Sequence, residues 1–262
     1  MKIEPSYAGG EGPPLVLLHG ITATWPIWRP VLGALERRHA VYAPTLPGHH
    51  GGPALAAADR GLPAIADEVE RMLDEQGLET AHLVGNSLGG WLALELARRG
   101  RAKTVVALSP GGAWRNARDR RRVVMLLEST GWLLGHHQRR VERLMLRPRL
   151  RRISMRTNME HGERVPVDAA VSLLRSVNEA TAFGPFMRWV RTASPETGAG
   201  IDVPVRIVWG KEDKVLPFRR YGAPMMAVLP HAELIELPGC GHVPMYDDPE
   251  GVAQAILDVS AA

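Results

Sequence analysis

Short apolar runs alternate along the chain with longer stretches in helical spacing. Residues 14–18 (Pro14-Leu15-Val16-Leu17-Leu18) form a buried-strand run, followed by similar runs at 39–43, 81–84, 103–108, 205–209 and 232–237. Between them, Ile65, Val69, Met72 and Leu73 share one helical face, with Asp67, Glu68, Glu70 and Arg71 elsewhere. Residues 88–99 are rich in Ala and Leu and close at Gly100, a helix stop. A last helix is expected over about 249–259, with Pro249 in its first turn. Strand and helix in alternation predict an α/β fold with a mostly parallel central sheet flanked by helices.

The rhythm fails between residues 111 and 200. That interval holds no convincing strand and is punctuated at Gly131, Gly135, Pro148, Gly162, Pro166 and Gly184-Pro185. It is expected to be a helical cap inserted in a core made of residues 1–110 and 201–262. Its apolar side chains, among them Trp114, Met125, Leu126, Leu127, Trp132, Leu133, Leu134, Phe183, Phe186, Met187 and Trp189, are candidates to pack onto the sheet or line a pocket.

The bulk properties narrow the setting. The chain has 262 residues, long enough for one large domain with a sizeable core, and its 45% hydrophobic content is ordinary for a globular protein. No run approaches the roughly 18 apolar residues of a membrane span. The start, Met1-Lys2-Ile3-Glu4-Pro5, lacks the apolar stretch of a secretory signal, so cytoplasmic residence is expected. The single Cys240 excludes an intrachain disulfide and fits a buried structural role.

Charge changes this picture in one place. The net charge of +4 is concentrated in the predicted cap, which between positions 114 and 191 carries seventeen arginines, no lysine and seven acids. The plainer reading is a set of solvated helix faces; the sharper one is an anionic substrate, an acidic partner or a membrane surface. Aromatics do not interleave with the basic runs as stacking platforms would, so nucleic acid is not an expected partner. No metal cluster, P-loop or dinucleotide fingerprint is present, and no cofactor is expected. The oligomeric state stays open, a homodimer included.

Gly85-Asn86-Ser87-Leu88-Gly89 matches G-x-S-x-G. A strand run precedes it and a helical run follows, the setting in which a sharp turn lifts the serine hydroxyl above the sheet edge. A serine needs a base within reach to act as a nucleophile. In such sheets the partners follow in the order Ser, acid, His, each after a later strand. His242 follows the last strand and Asp213 follows the 205–209 run, both at carboxyl ends where open sheets bind ligands. Glu212, Asp247 and Asp248 are rival acids. A tetrahedral intermediate would need backbone donors, for which Ile21 and Leu88 are the candidates. Contact with substrate is expected from Ile21, Leu88, Trp114 and Val243.

These residues carry a resemblance. Leu17-Leu18-His19-Gly20 with Trp25 and Trp28, Pro44-Thr45-Leu46-Pro47-Gly48-His49, Gly85 to Gly90, Val208 to Asp213, and Gly241-His242-Val243-Pro244 through Glu250 resemble the α/β-hydrolase superfamily. The likeness is to its branch of lid-bearing esterases, C–C bond hydrolases and cofactor-free haloperoxidase-like enzymes. It spans nearly the whole chain except the insertion, and it implies a helical cap after the strand ending near Ser109. Haloalkane dehalogenases and epoxide hydrolases resemble the chain too but carry aspartate at the elbow. The opening hairpin usual in this superfamily must here be short or partly missing. The implied activity is a carboxylic ester hydrolase working through an acyl-enzyme on a small-molecule substrate. The alternatives are a C–C bond hydrolase of a carboxylate-bearing diketone and a non-catalytic hydrolase-fold receptor.

Overall fold

The structure, a computed structural model, describes residues 4–55, 61–193 and 200–260. The residues Met1-Lys2-Ile3 and 194–199, the latter near the expected end of the insertion, lie outside the described residues.

Seven strands form one sheet in the order β1-β3-β2-β4-β5-β6-β7. They are β1 (Ser6–Gly9), β2 (Pro14–Leu18), β3 (Ala40–Pro44), β4 (Ala81–Asn86), β5 (Ala102–Leu108), β6 (Val205–Gly210) and β7 (Glu233–Leu237). All neighbours run parallel except β1, which pairs antiparallel with β3 from Ser6↔Pro44 to Gly9↔Val41. The opening hairpin, expected to be short or partly missing, is reduced to this four-residue strand, which lies at the sheet edge beside β3 and not beside β2.

Period-two alternation sorts each strand between two helical layers. Leu15, Leu17, Val41, Val84, Val106 and Val208 pack with α1 (Arg29–Leu35) and α10 (Pro249–Ser260). Val16, Leu18, Leu83, Val105, Ile207 and Trp209 pack on the other face with α2 (Leu62–Glu75), α3 (Leu88–Arg98) and α9 (Phe218–Val228). Strands buried on both faces read as unbroken apolar runs, which is why the central strands were visible in the sequence.

Among the described residues five helices come between β5 and β6: α4 (Ala117–His136), α5 (Gln138–Met145), α6 (Pro148–Met155), α7 (Val167–Glu179) and α8 (Phe183–Thr192). This insertion is tied to loops at the carboxyl ends of several strands. Ser176 Oγ donates to Thr22 O at 2.7 Å, Ala182 N to Gly48 O at 3.0 Å, and Val243 N to Asn158 O at 2.8 Å. Not every apolar side chain of the insertion is used for packing. Met125, Trp132 and Leu133, expected to pack or line a pocket, are 62%, 64% and 51% exposed, because they fall on the outer face of α4. Among the described residues no helix is long and apolar enough to cross a membrane.

Candidate active site

The β4–α3 junction is built on close approach. A methyl group at Gly89 would lie 2.0 Å from the Leu18 carbonyl oxygen, and one at Gly85 would lie 2.0 Å from the Gly89 oxygen. Only glycine lets strand and helix come this near. Ser87, squeezed between them, has φ 57° and ψ −111°, a conformation costly for a side-chain-bearing residue. It is held by Ser87 N donating to Leu108 O at 2.9 Å, while Ser87 O accepts from Trp91 N at 3.0 Å and Gly111 N at 3.2 Å. Leu88 is the first residue of α3, so its N–H has no acceptor within the helix.

Ser87 and His242 line one cavity of about 160 Å³ under the insertion. His242 is buried, and its Nδ1 lies 2.8 Å from Asp213 Oδ2. The other oxygen of Asp213 accepts from Val215 N at 2.9 Å and Leu216 N at 2.7 Å. The carboxylate is thereby fixed from both ends, and Nδ1–H donating to it leaves Nε2 free to take a proton. Asp213 is the expected acid brought against His242.

The rival acids have other partners. Glu212 is exposed. Asp248 caps α10, accepting from Gly251 N at 2.9 Å. Asp247, buried, accepts from Gly241 N at 2.8 Å, His161 N at 2.7 Å and Glu160 N at 3.0 Å. It therefore clamps the loop that carries His242 to the insertion.

The side-chain bonds of Asn86 and His19 have no signal in the sequence. Asn86 Nδ2 donates to His242 O at 2.9 Å and to Leu108 O at 3.2 Å, tying the histidine loop to the elbow. His19 is fully buried; Leu46 N donates to its Nε2 at 2.8 Å, so Nδ1 carries the proton and donates to Gly20 O at 2.8 Å. Ala23 N also donates to that oxygen, at 3.1 Å. With the Gly20 carbonyl so held, the trans peptide points the Ile21 N–H the opposite way. Burial, with His49 beside it, pushes the His19 imidazolium well below the usual histidine range, which keeps this acceptor–donor arrangement neutral.

The remaining candidates divide between two chambers at Ser87. Ile21 lines both. Val243 lines the larger, with Leu126, Leu127, Leu134 and Phe183. Leu88 and Trp114 line a second chamber of about 40 Å³, walled by Trp91, Phe186 and Met187. Trp91 meets Trp114 edge-on, ring centroids 5.9 Å apart, so this chamber is rigid and apolar. Cys240 is buried and its thiol is pushed up to about 12, chiefly by desolvation, consistent with an inert structural residue. Among the described residues no cluster of His, Cys, Asp or Glu is suited to a metal ion.

Residues 15–255 match the model of the alpha/beta hydrolase family. The chain belongs to that family. Among its relatives is the epoxide hydrolase EphH of Mycobacterium tuberculosis, 31% identical over 204 residues, covering 73% of this chain and 91% of that protein. A 2-hydroxy-6-oxo-6-phenylhexa-2,4-dienoate hydrolase of Burkholderia cepacia is 26% identical over 263 residues, covering 96% and 89%. The solved 2-hydroxy-6-oxo-6-phenylhexa-2,4-dienoate hydrolase of Rhodococcus sp. strain RHA1 superposes with a TM-score of 0.76 at 21% identity, covering 98% of this chain and 94% of that one. It is alike in fold. This alpha/beta hydrolase thus has relatives named for two different reactions, and the side chains at its own cavity have to choose between them.

Proposed function

We propose that the protein is a serine hydrolase of carboxylic esters, with Ser87 as nucleophile, His242 as general base and Asp213 as its orienting acid. The observation that carries this reading is the meeting of a strained Ser87 elbow and an Asp213-held His242 on the wall of one cavity. Ser87 Oγ attacks the ester carbonyl and gives its proton to His242 Nε2. The oxyanion rests on the N–H groups of Ile21 and Leu88. The proton then passes from Nε2 to the leaving alkoxide oxygen, and water, deprotonated by the same nitrogen, releases the acid. The five-helix insertion serves as a cap over the chemistry.

Chemistry at position 87 argues against epoxide opening despite the name of one relative. A serine alkoxide opening an epoxide would leave a stable ether on Oγ, which water could not release; only a carboxylate leaves a cleavable ester. Cleavage of a C–C bond in a carboxylate-bearing diketone would use the same three residues and is the second reading, favoured by the names of two relatives. Such a substrate carries its carboxylate only a few bonds from the scissile bond and so calls for a cation in the Ser87 cavity itself, which among the described residues is lined by no arginine or lysine. Ester hydrolysis is therefore preferred.

Intact-mass spectrometry after a fluorophosphonate probe, with turnover of p-nitrophenyl esters of graded length, tests the proposal. One adduct on the wild type, none on Ser87→Ala, and measurable turnover are expected. A probe-silent wild type without turnover would move the ligand-receptor reading to the front.

A further inference from the structure

Beside the Ser87 cavity lies a cleft of about 750 Å³, between the N-terminal half of α4 and the segment that follows Asp213. Among the described residues its charged lining is entirely cationic. Arg115 and Arg122 come from one side, Lys214, Arg219 and Arg220 from the other. Among the described residues two carboxylates answer these five cations, an excess of three. Buried Asp119 takes Arg115 Nε at 2.9 Å and Arg220 Nε at 3.7 Å, and Glu160 pairs with Lys214. Arg122 and Arg219 are exposed and, among the described residues, have no ion-pair partner. Asp119 thus arrays two guanidinium groups on a fixed anchor while two more stand free.

The cleft adjoins the cavity that holds Ser87. Leu126 and Val215 line both it and the Ser87 cavity, and Val123 and Val215 line both it and the apolar chamber. Val215 is itself held by its N–H to Asp213. A long substrate with its carbonyl at Ser87 would pass Val215 and enter this cationic space. Guanidinium forks bind phosphate and carboxylate alike. A single carboxylate would need one fork; an excess of three charges spread over several side chains suits a dianion.

We propose that this cleft binds a phosphate group at the end of an elongated ester substrate. The inference rests on the assignment of Ser87 as the nucleophile, and its test separates the two. The substrates are hexanoate esters of ω-hydroxyalkyl phosphates with four-, six- and eight-carbon linkers. Equal-length esters ending in a neutral hydroxyl or in a carboxylate serve as comparisons.

For at least one linker the phosphate ester should show about tenfold higher kcat/KM than its neutral counterpart, through a lower KM. That ratio should fall to about one in Arg122→Gln/Arg219→Gln and persist in Arg139→Gln/Arg140→Gln, an exposed pair outside the cleft. A wild-type ratio near one, a ratio unchanged in Arg122→Gln/Arg219→Gln, or a carboxylate ester matching the phosphate ester would overturn the proposal. Calorimetry on Ser87→Ala, which holds the esters uncleaved, gives the same comparison without turnover. Tighter binding of the phosphate ester there, lost on adding the two glutamines, would support the cleft even if no ester were hydrolysed. Equal binding of phosphate and neutral esters would reject it. Inorganic phosphate binding as tightly as the phosphate ester would reject it too, by assigning the cleft to a free ion.

Discussion

Two buried aspartates near His242 differ in what they hold, and substitution by asparagine should separate them. In Asp213→Asn the amide oxygen can keep the Val215 and Leu216 N–H bonds, which turns the NH₂ group toward His242 Nδ1. That favours the wrong imidazole tautomer, so kcat should fall on the order of 10⁴-fold with little loss of stability. Asp247→Asn instead places a donor among three backbone N–H groups. Stability should drop by about 2 kcal/mol, and activity at low temperature should suffer far less. Steady-state kinetics and denaturant melts on both variants would show the crossed pattern; a 10⁴-fold kinetic loss in Asp247→Asn alone would reassign the acid. Sequence order alone singles out Ser87, Asp213 and His242 as candidates, because each sits at a junction with its own local signature. The work of Asn86, His19 and Asp247 was invisible there. Their partners lie 156, 27 and about 87 residues away, and nothing near them in the chain announces the bond.

Among the elements, the insertion has the least local logic. Its α5 and α6 are short and strongly basic, and neither could stand alone in water. One buried guanidinium holds them in place. Arg151 donates to Met145 O at 2.6 Å, Glu163 O at 2.9 Å and Gly162 O at 3.3 Å, joining α5, α6 and the 3₁₀ turn Gly162–Arg164. Replacing it with methionine strands three carbonyls, at a cost of about 1–3 kcal/mol or more. Limited proteolysis of Arg151→Met should therefore nick residues 138–165 much faster than wild type while the sheet stays resistant; equal rates would show that the staple is dispensable. A sequence reader sees only one arginine among seventeen. The same opacity explains the misjudged outer face of α4: helical spacing fixes which residues share a face, but not which face meets the sheet. β1 was missed for a different reason, since Ser6-Tyr7-Ala8-Gly9 is an edge strand too short to show alternation.

Across the whole molecule, buried histidines are expected to lower stability in acid. His49 is buried and its imidazolium is pushed down to about 4, mainly by desolvation; His19 moves the same way. Both pKa values are depressed on folding, so the unfolded chain binds more protons as the pH falls below about 6.5. The stabilisation is fully present above that pH and is lost as the pH falls, for His49 progressively down to about 4. His49 alone should remove about 3 kcal/mol by pH 4. Chemical-denaturation midpoints between pH 7 and pH 4.5 should fall steeply for wild type and less so for His49→Gln, compared with each protein's own value at pH 7. A parallel decline in both would place the acid sensitivity elsewhere. The parallel sheet itself was legible from the outset, because strands covered on both faces leave continuous apolar runs that no surface element imitates.

The carboxylate of Asp247 has a bearing on how freely such a molecule can be rebuilt. It grips the loop beneath His242 with one hand and residues 160 and 161 with the other, and its carbonyl receives Arg164 as well. The helical insertion and the loop that carries His242 are consequently not interchangeable modules. A foreign insertion grafted between β5 and β6 would arrive without the two amides that complete this grip, leaving a buried negative charge half-answered beside the loop that carries His242. Successful grafts would have to bring their own amide pair, or begin by neutralising position 247.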